Sequence, residues 1–494
     1  MSRPDGAVAT TNDGADTSFD AFEVAFPAPV EQEFSDAYGD ARWRQIKRAL
    51  AKPAGYTALR VNTTRWTREE ALTEVRAALS EFNDGLVREM RREPVEPFEH
   101  PVLSDVLVIP SAPRVEPHVA FRADLKCIVV DRLCGEAVLR GSDIYARGIM
   151  SASSGINVED RVNVFVDLDH LSTRGSSMEE HTGRKLFIAH GTTKMARTEM
   201  FRAQRGLAVT SIVRVCSDAP SMNGVLSGKI YVQNLPSTVV AHVLDPQEGE
   251  CIIDMCSAPG GKASHVATLM CNTGVLVACD RSKRKALELQ KLFAELEYDC
   301  VVPLKMDSTH SVLPKAAATA ADGSGAALSV REVIEQARQK TPTNAHLLQI
   351  EGFYPETFDR VLLDPPCSAL GLRPRLLHAG DADNLAEYAS MQRNFLWAAV
   401  FLLKPGGTLV YSTCTINPKE NEQMVRHALD NYPLRLEPQS VHIGDTGLLN
   451  QGLSAAEAAL VQRFDPSNST LDTMGFFCAK FTKTSSIREA QQSE

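Results

Sequence analysis

The chain has 494 residues, 44% hydrophobic and 23% charged, with a formal charge of −10; this length allows two to four domains, and the composition is that of an ordinary globular chain. No apolar run approaches the roughly 18–20 residues of a membrane span. The N-terminal MSRPDGAVATTNDGADTSFD lacks the apolar stretch of a secretory signal and the Arg-rich, acid-poor character of a mitochondrial one, so the expected compartment is the cytoplasm, with the nucleus as the alternative.

The charge is unevenly placed. Residues 1–40 carry nine acids and one Arg and are expected to form a disordered acidic leader. Residues 171–215 carry eight Lys/Arg against three acids. Phosphate binding depends on local positive potential, so an acidic total does not exclude RNA.

From about residue 41 to 113 a mixed α/β segment is predicted. "YTALRVNTT" reads as a strand, "TREEALTEVRAALSEFN" as an amphipathic helix capped by Thr67, and "DVLVIP" as a strand ended by Pro110. Residues 114–207 hold β-rich runs ("CIVVD", "RVNVFVDL", "KLFIAHG") separated by Gly-containing turns, which predicts a small inserted barrel. A linker and RNA-recognition segment is placed at 208–240. From there to 483, "CIIDM", "GVLVACD", "DCVVPLKMD", "DRVLLD" and "GTLVYST" are short apolar runs between helical stretches such as "KRKALELQKLFAEL" and "ASMQRNFLWAAVFLL". Strands buried on both faces and alternating with helices predict a doubly wound, mostly parallel α/β sheet of Rossmann-like form. The Ala-rich piece 313–350 is expected to be a surface insertion, partly helical or mobile, and 484–494 a flexible tail.

In such a sheet, ligands collect at the carboxyl ends of the strands near the switch in strand order. "CIIDMCSAPGGKASH" is strand, loop, helix, and its Gly260-Gly261 pair permits close backbone approach and leaves helix N–H groups available. It is not the G-x-G-x-x-G dinucleotide fingerprint. Asp280 ends the next strand, where an acid commonly accepts from ribose hydroxyls, and Asp307 ends the third, placed to receive an exocyclic amine. The fourth strand ends in "DPPCSALG" and the fifth in "STCT", so Cys367 and Cys414 converge on one edge near Lys262. The eleven cysteines contain no C-x-x-C pair and no zinc-finger histidine spacing, and no metal is expected. With no secretory signal, disulfides are disfavoured as well. Cys414 is therefore a core residue or a reactive thiol, and two cysteines at adjacent strand ends favour the thiol.

"CSAPGGK", "DPPCS", "YSTCT" with "NPKENE", and "GFFCAKF" together resemble the Nop/Sun family of RNA cytosine-5 methyltransferases, over residues 229–483. "GEAVLRGSDIYARGIMSAS" looks like a PUA domain, a small RNA-binding barrel, so the likeness is to the PUA-containing branch of the family and extends over about residues 45–483. The resemblance implies an S-adenosylmethionine-dependent enzyme that methylates a cytosine near the CCA end of selected tRNAs, with mRNA hairpins or rRNA as the alternative substrates and an inactive RNA-binding protein as the remote one. It implies that Cys414 adds to carbon 6 of the base, that Cys367 assists release, that Asp364 holds the ring and that Lys262 hydrogen-bonds near it. Cofactor contacts are implied for Cys256, Ser257, Ala258, Pro259, Gly260, Gly261, Lys262, Asp280, Asp307 and Asp364. Arg140, Tyr145, Arg184, Lys185, Lys194 and Arg197 are the expected RNA contacts. The expected partner is RNA, most of all a tRNA acceptor end, with no membrane and a monomeric chain. The chain departs mildly from the family pattern: "DPPC" stands where "DAPC" is common, and Ala369 stands where Gly is usual.

Overall fold

The computed structural model describes residues 19–90, 93–112, 119–216, 220, 222, 224–314, 328–341, 346–378, 380 and 382–487. The chain enters through two helices, α1 (Ala28–Tyr38) and α2 (Asp40–Leu50). This corrects the expectation of a disordered leader reaching residue 40. Val30 and Phe34 of α1 are fully buried, and the Phe34 ring lies 5.0 Å from that of Trp43 on α2. Four acidic side chains in 11–23 and a further four in 28–40 mask this small aromatic core in the composition. The part of the predicted leader at 1–18 lies outside the described residues.

Next come β1 (Tyr56–Val61), α3 (Arg68–Ala78), α4 (Ser80–Met90), β2 (Phe98–Glu99) and β3 (Val106–Pro110). Thr67 caps α3 as predicted, in a reciprocal capping box with Glu70. The inserted barrel follows as β4 (Lys126–Val130), α5 (Arg132–Leu139), β5 (Ile144–Tyr145), β6 (Ile149–Ala152), β7 (Arg161–Asp167), β8 (Ser176–Ser177), β9 (Lys185–Thr193), α6 (Arg197–Arg202) and β10 (Leu207–Arg214). Its strands run in the order β5-β10-β9-β7-β4-β6-β8. The predicted boundary at 207 is too early, because β10 pairs with β9 as far as Arg214. This sheet belongs to one compact unit, and the other two sheets of the protein belong to a second.

In that second unit β11 (Ile230–Val232) returns to pair antiparallel with β1, so the first small sheet has the order β11-β1-β3-β2. The predicted linker at 208–240 is therefore divided among the end of β10, this strand, and α7 (Leu235–Leu244).

The large sheet is built from β12 (Cys251–Asp254), α8 (Gly261–Leu269), β13 (Val275–Asp280), α9 (Lys283–Glu295), β14 (Val301–Lys305), α10 (Val330–Lys340), β15 (Phe358–Leu363), α11 (Ala382–Leu402), β16 (Leu403–Thr413), α12 (Glu422–Asn431), β17 (Leu434–Leu436), α13 (Ala455–Ala458), β18 (Gln462–Phe464) and β19 (Phe476–Lys483). Its order is β14-β13-β12-β15-β16-β19-β17, with β18 paired to β19. β12 to β16 are parallel, and β19 is antiparallel to β16. The order reverses between β12 and β15, which is where such sheets open a ligand crevice.

Alternate residues of these strands enter two separate cores. Ile253, Val277, Val361, Leu409 and Tyr411 pack with α10, α11 and α12, whereas Ile252, Leu276, Leu362 and Val410 pack with α7, α8 and α9. Burial on both faces is why the strands read as unbroken apolar runs. The insertion contributes α10, whose Val330, Ile334 and Ala337 are buried; residues 315–327 and 342–345 lie outside the described residues. No helix among the described residues is long and apolar enough to cross a membrane.

Candidate active site

All five parallel strands deliver a polar residue to the same sheet edge. Register places Asp254 beside Ala278 and Leu362, Asp280 beside Lys305, and Leu363 beside Tyr411, so Asp364 and Ser412 follow side by side. Lys262 donates to Asp364 Oδ2 at 2.7 Å and Ser412 Oγ donates to Asp364 Oδ1 at 3.0 Å. Each of these oxygens retains a second lone pair for a ligand donor.

The two thiols meet as the sequence predicts. Cys367 Sγ and Cys414 Sγ lie 3.3 Å apart, and both residues are half-buried. Hydrogen bonding from the Cys367 thiol is the main force holding Cys414 below the ordinary cysteine pKa; burial and Asp364 oppose it, and the Lys262 ammonium assists it. The same bond, followed by burial and then by the charges of Cys414, Glu420 and Asp364, pushes Cys367 well above that value. Burial acts to lower Lys262, but Asp364, then Cys414 and Asp254, outweigh it and keep the lysine charged. The asymmetry makes Cys414 the more acidic and Cys367 the less acidic member of the pair. Replacing Lys262 by methionine removes a cation that favours the thiolate. The pH midpoint for alkylation of Cys414 by iodoacetamide, followed by peptide mass spectrometry, is expected to rise.

The loop behind Cys367 carries a strained residue. Ala369 has φ +53°, a left-handed conformation that costs a side-chain-bearing residue about 1–2 kcal/mol, and this is the position where the family pattern has glycine. Ala369→Gly is expected to raise unfolding stability by about 1 kcal/mol in chemical denaturation, the relief of strain being partly offset by glycine's greater freedom when unfolded. Beyond it, Gly371 crosses Gly475 so closely that a Cβ on Gly371 would lie 1.9 Å from the Gly475 carbonyl oxygen. Gly371 N–H donates to the Cys414 carbonyl at 3.0 Å, so this crossing ties the two thiol-bearing loops together.

At the other half of the edge, the chain from Cys256 to Lys262 turns into α8. Ser257 N–H donates to Cys279 O at 2.8 Å and Gly260 N–H to Ser257 O at 2.7 Å. Gly260 takes φ +103° and presses against α9, where a Cβ would fall 2.5 Å from Leu292 Cδ2. Arg60 of β1, only 2% exposed, supports this turn from below. It donates to Ser264 Oγ at 2.7 Å, Gln233 Oε1 at 3.0 Å and Gly261 O at 3.4 Å. Tyr231, Gln233, Asn234 and Ser237 line one cleft with Asp254, Cys256–Pro259, Lys262 and Asp364. The first four of these residues fall in the segment expected to be a linker and RNA-recognition region, and nothing local marks them as a wall of this cleft.

The strand-end acids suit an adenosyl ligand. Asp280 Oδ1 accepts from Ser282 N at 2.8 Å, and Oδ2 faces Lys285 at 3.6 Å. Asp307 Oδ1 accepts from Thr309 N and Oγ1, and its other oxygen lies 3.8 Å from His310. Each carboxylate is therefore fixed through one oxygen and presents the other. Burial acts to raise Asp307, but the Thr309 hydroxyl and N–H overcome it and hold the group low, so it stays an acceptor. Asp254 went unnoticed in the sequence. It is 1% exposed, and burial, then Asp364, pushes its carboxyl up to about 7.

The chain is similar to known proteins over nearly its whole length. Residues 241–482 match the family described as 16S rRNA methyltransferase RsmB/F, and residues 126–214 match the PUA domain. The rRNA (cytosine-C(5))-methyltransferase NOP2C of Arabidopsis thaliana is 36% identical, covering 92% of this chain and 90% of that one. The human tRNA (cytosine(72)-C(5))-methyltransferase NSUN6 is 34% identical, covering 90% and 92% respectively. The chain belongs to the Nop/Sun family of RNA cytosine-5 methyltransferases. Among solved structures, NSun6 from Pyrococcus horikoshii, crystallised with SFG, aligns over 94% of this chain and 100% of that one, with a TM-score of 0.71 and 29% identity.

The methyltransferase uses S-adenosylmethionine, whose donor needs fit the backbone turn at 256–262 and the paired acids Asp280 and Asp307. Its RNA-facing candidates divide. Tyr145 is 59% exposed, and Arg140 is exposed too. Lys185 is exposed with its ammonium 5.4 Å from the Phe165 ring centroid. Lys194 is paired with Glu159 at 2.9 Å and Arg184 with Asp169 at 2.7 Å. Arg197 turns inward instead: its guanidinium donates to the carbonyls of Ala152, Gly175 and Ser176. Arg174, from the same basic stretch, donates to five carbonyls, among them Ala146 at 2.7 Å and Met200 at 2.9 Å. Part of the basic charge of 171–215 therefore holds the barrel together.

Proposed function

We propose that the methyltransferase modifies carbon 5 of a cytosine near the CCA end of a tRNA acceptor stem, with Cys414 as nucleophile and Cys367 as the group that permits release. The observation that carries this reading is the thiol pair at 3.3 Å, one member lowered and the other raised, beside the Lys262–Asp364 ion pair.

Carbon 5 of cytosine is a weak nucleophile. Addition of the Cys414 thiolate to carbon 6 breaks the ring double bond and places electron density on carbon 5. Asp364, fixed by Lys262 and Ser412, accepts a hydrogen bond from the exocyclic amine and so holds the ring, and the Lys262 ammonium offsets the negative charge that develops on it. S-adenosylmethionine supplies an electrophilic methyl group. Once Cys414 is bonded to carbon, its negative charge and its hydrogen bond from Cys367 both vanish. The largest influence holding Cys367 protonated is then removed. Cys367 can lose its proton to solvent, take the proton from carbon 5, and allow the Cys414–carbon bond to break with return of the thiolate. Stacked bases do not reach such a pocket, so the target is splayed out of its helix.

The tRNA substrate is supported by full-length likeness to the human enzyme above and to the Pyrococcus horikoshii tRNA (cytosine(72)-C(5))-methyltransferase, which is 30% identical over 94% of this chain. A second reading, rRNA, is favoured by the name of the Arabidopsis relative. Bisulfite sequencing of total RNA from cells with and without the protein separates the two. A protein-dependent 5-methylcytosine in tRNA acceptor stems is the expected result, and one confined to rRNA overturns the tRNA reading.

A further inference from the structure

Glu420 lies six residues after Cys414 and has no exposed surface. Its carboxylate accepts from Ser368 N at 3.0 Å, Ser368 Oγ at 2.5 Å, Gln392 Nε2 at 2.8 Å and Asn417 Nδ2 at 3.0 Å. All four donors are neutral, and burial raises the carboxyl above its ordinary value. Burying a carboxylate against neutral partners is costly, and the four hydrogen bonds offset that cost.

What they order is the loop of Cys367. Ser368 directly follows that cysteine and is held by two of the four bonds. Gln392 of α11 donates both to Glu420 and to Pro366 O at 3.1 Å, so the residue before Cys367 is held by the same group of side chains. The Ser368 hydroxyl also lies 2.7 Å from Thr415 Oγ1, the residue after Cys414. Tyr411, three residues before Cys414, reaches Glu420 O at 2.7 Å and Gln392 Oε1 at 3.1 Å. The carboxylate thus joins the β15 loop, the β16 loop and α11 at the point where the thiols face each other.

We propose that Glu420 is a positioning residue for the release step, fixing the Cys367 thiol at the distance from Cys414 at which it can take the carbon-5 proton. The inference rests on the reading of the two cysteines given above. Glu420 touches neither thiol through a hydrogen bond and acts through Ser368 and Gln392. Cys414 directly follows β16, whose pairing with β15 and β19 does not depend on the Glu420 carboxylate, so loss of Glu420 acts on release more than on addition.

The test compares Glu420→Ala, Glu420→Gln and Ser368→Ala in the full chain, using total RNA from cells lacking the protein and S-adenosylmethionine. Turnover, KM for RNA, cofactor affinity and the covalent protein–RNA adduct on denaturing gels are measured together. Glu420→Ala is expected to lower kcat by about tenfold or more, to accumulate adduct, and to leave KM and cofactor affinity within about twofold. Glu420→Gln is expected to recover most of the turnover, since its amide oxygen can serve Ser368 N and Gln392 while its amide nitrogen donates to Ser368 Oγ and to a reversed Asn417 amide. Ser368→Ala, a smaller disturbance that spares the fold if Glu420→Ala does not, is expected to change release in the same direction.

Normal release in Ser368→Ala and Glu420→Ala overturns the inference, as does loss of adduct formation and cofactor binding together. Wild-type and Cys414→Ala proteins run beside them isolate the underlying reading. If Cys414→Ala still forms product, the cysteine assignment falls; if it does not and the Glu420 variants behave as wild type, the inference alone falls.

Discussion

Cys414→Ala is expected to abolish methylation, with kcat falling by about a thousandfold or more, while affinity for S-adenosylmethionine stays within about twofold of wild type. The loss is large because nothing else at the edge can activate carbon 5. Cys367 and Cys256 are the other thiols at this edge among the described residues, and both are held protonated. The cofactor contacts proposed at Cys256–Gly261, Asp280 and Asp307 stand at or after the ends of β12, β13 and β14, whereas Cys414 follows β16, so removing one sulfur does not disturb them. Methyl incorporation into RNA and calorimetric titration of the cofactor check the two halves. Full residual activity would sink the assignment of Cys414 as nucleophile.

Cys367→Ala is expected to fail in a different way. Loss of the Cys367 hydrogen bond slows addition, which Lys262 still favours, but once the base is methylated the carbon-5 proton has no acceptor and the sulfur–carbon bond persists. A protein–RNA species that survives denaturing electrophoresis should accumulate with methyl label in it, and turnover should stop after about one equivalent. The double variant with Cys414→Ala should show no adduct. An adduct absent from Cys367→Ala, with product released at the wild-type rate, would remove the release role.

The sequence made the catalytic edge legible for a physical reason. A strand covered on both faces must be apolar throughout, so β12, β13, β14, β15 and β16 stand out as runs whose ends are marked by the first polar residue. At or just after those ends stand the candidate site residues Asp280, Asp307, Asp364 and Cys414. What stayed hidden depends on contacts between distant segments. α1 was lost because Val30 and Phe34 are few among acids, and they are buried only by Trp43 and other rings that follow later in the chain. α5 was not anticipated in a segment read only as strands and Gly-containing turns, and its Gly135 serves close packing; a Cβ there would fall 2.2 Å from Val166 Cγ2. Glu420 and Ser368 are 52 residues apart, and no local pattern announces that they meet. Arg60 sits in a strand that looks like ordinary sheet, although its guanidinium supports the cofactor turn some two hundred residues onward.

The pairing of β1 has a practical consequence for dissecting the enzyme. Pro110, which ends β3, is opposite Tyr56 at one end of β1, and Ile230, which begins β11, is opposite Val61 at the other. The PUA domain is spliced into the chain between these two points of a single sheet. They are separated by five residues along the strand and two strand spacings across it, about 20 Å in all. A tether of about six to eight extended residues could bridge that gap and yield a PUA-less catalytic body with its small sheet intact. Truncation just before Ile230 does the opposite. It strips β11 of its neighbour in that sheet and takes Arg60 from beneath the turn into α8, so residues 230–483 alone are a poor choice of minimal enzyme.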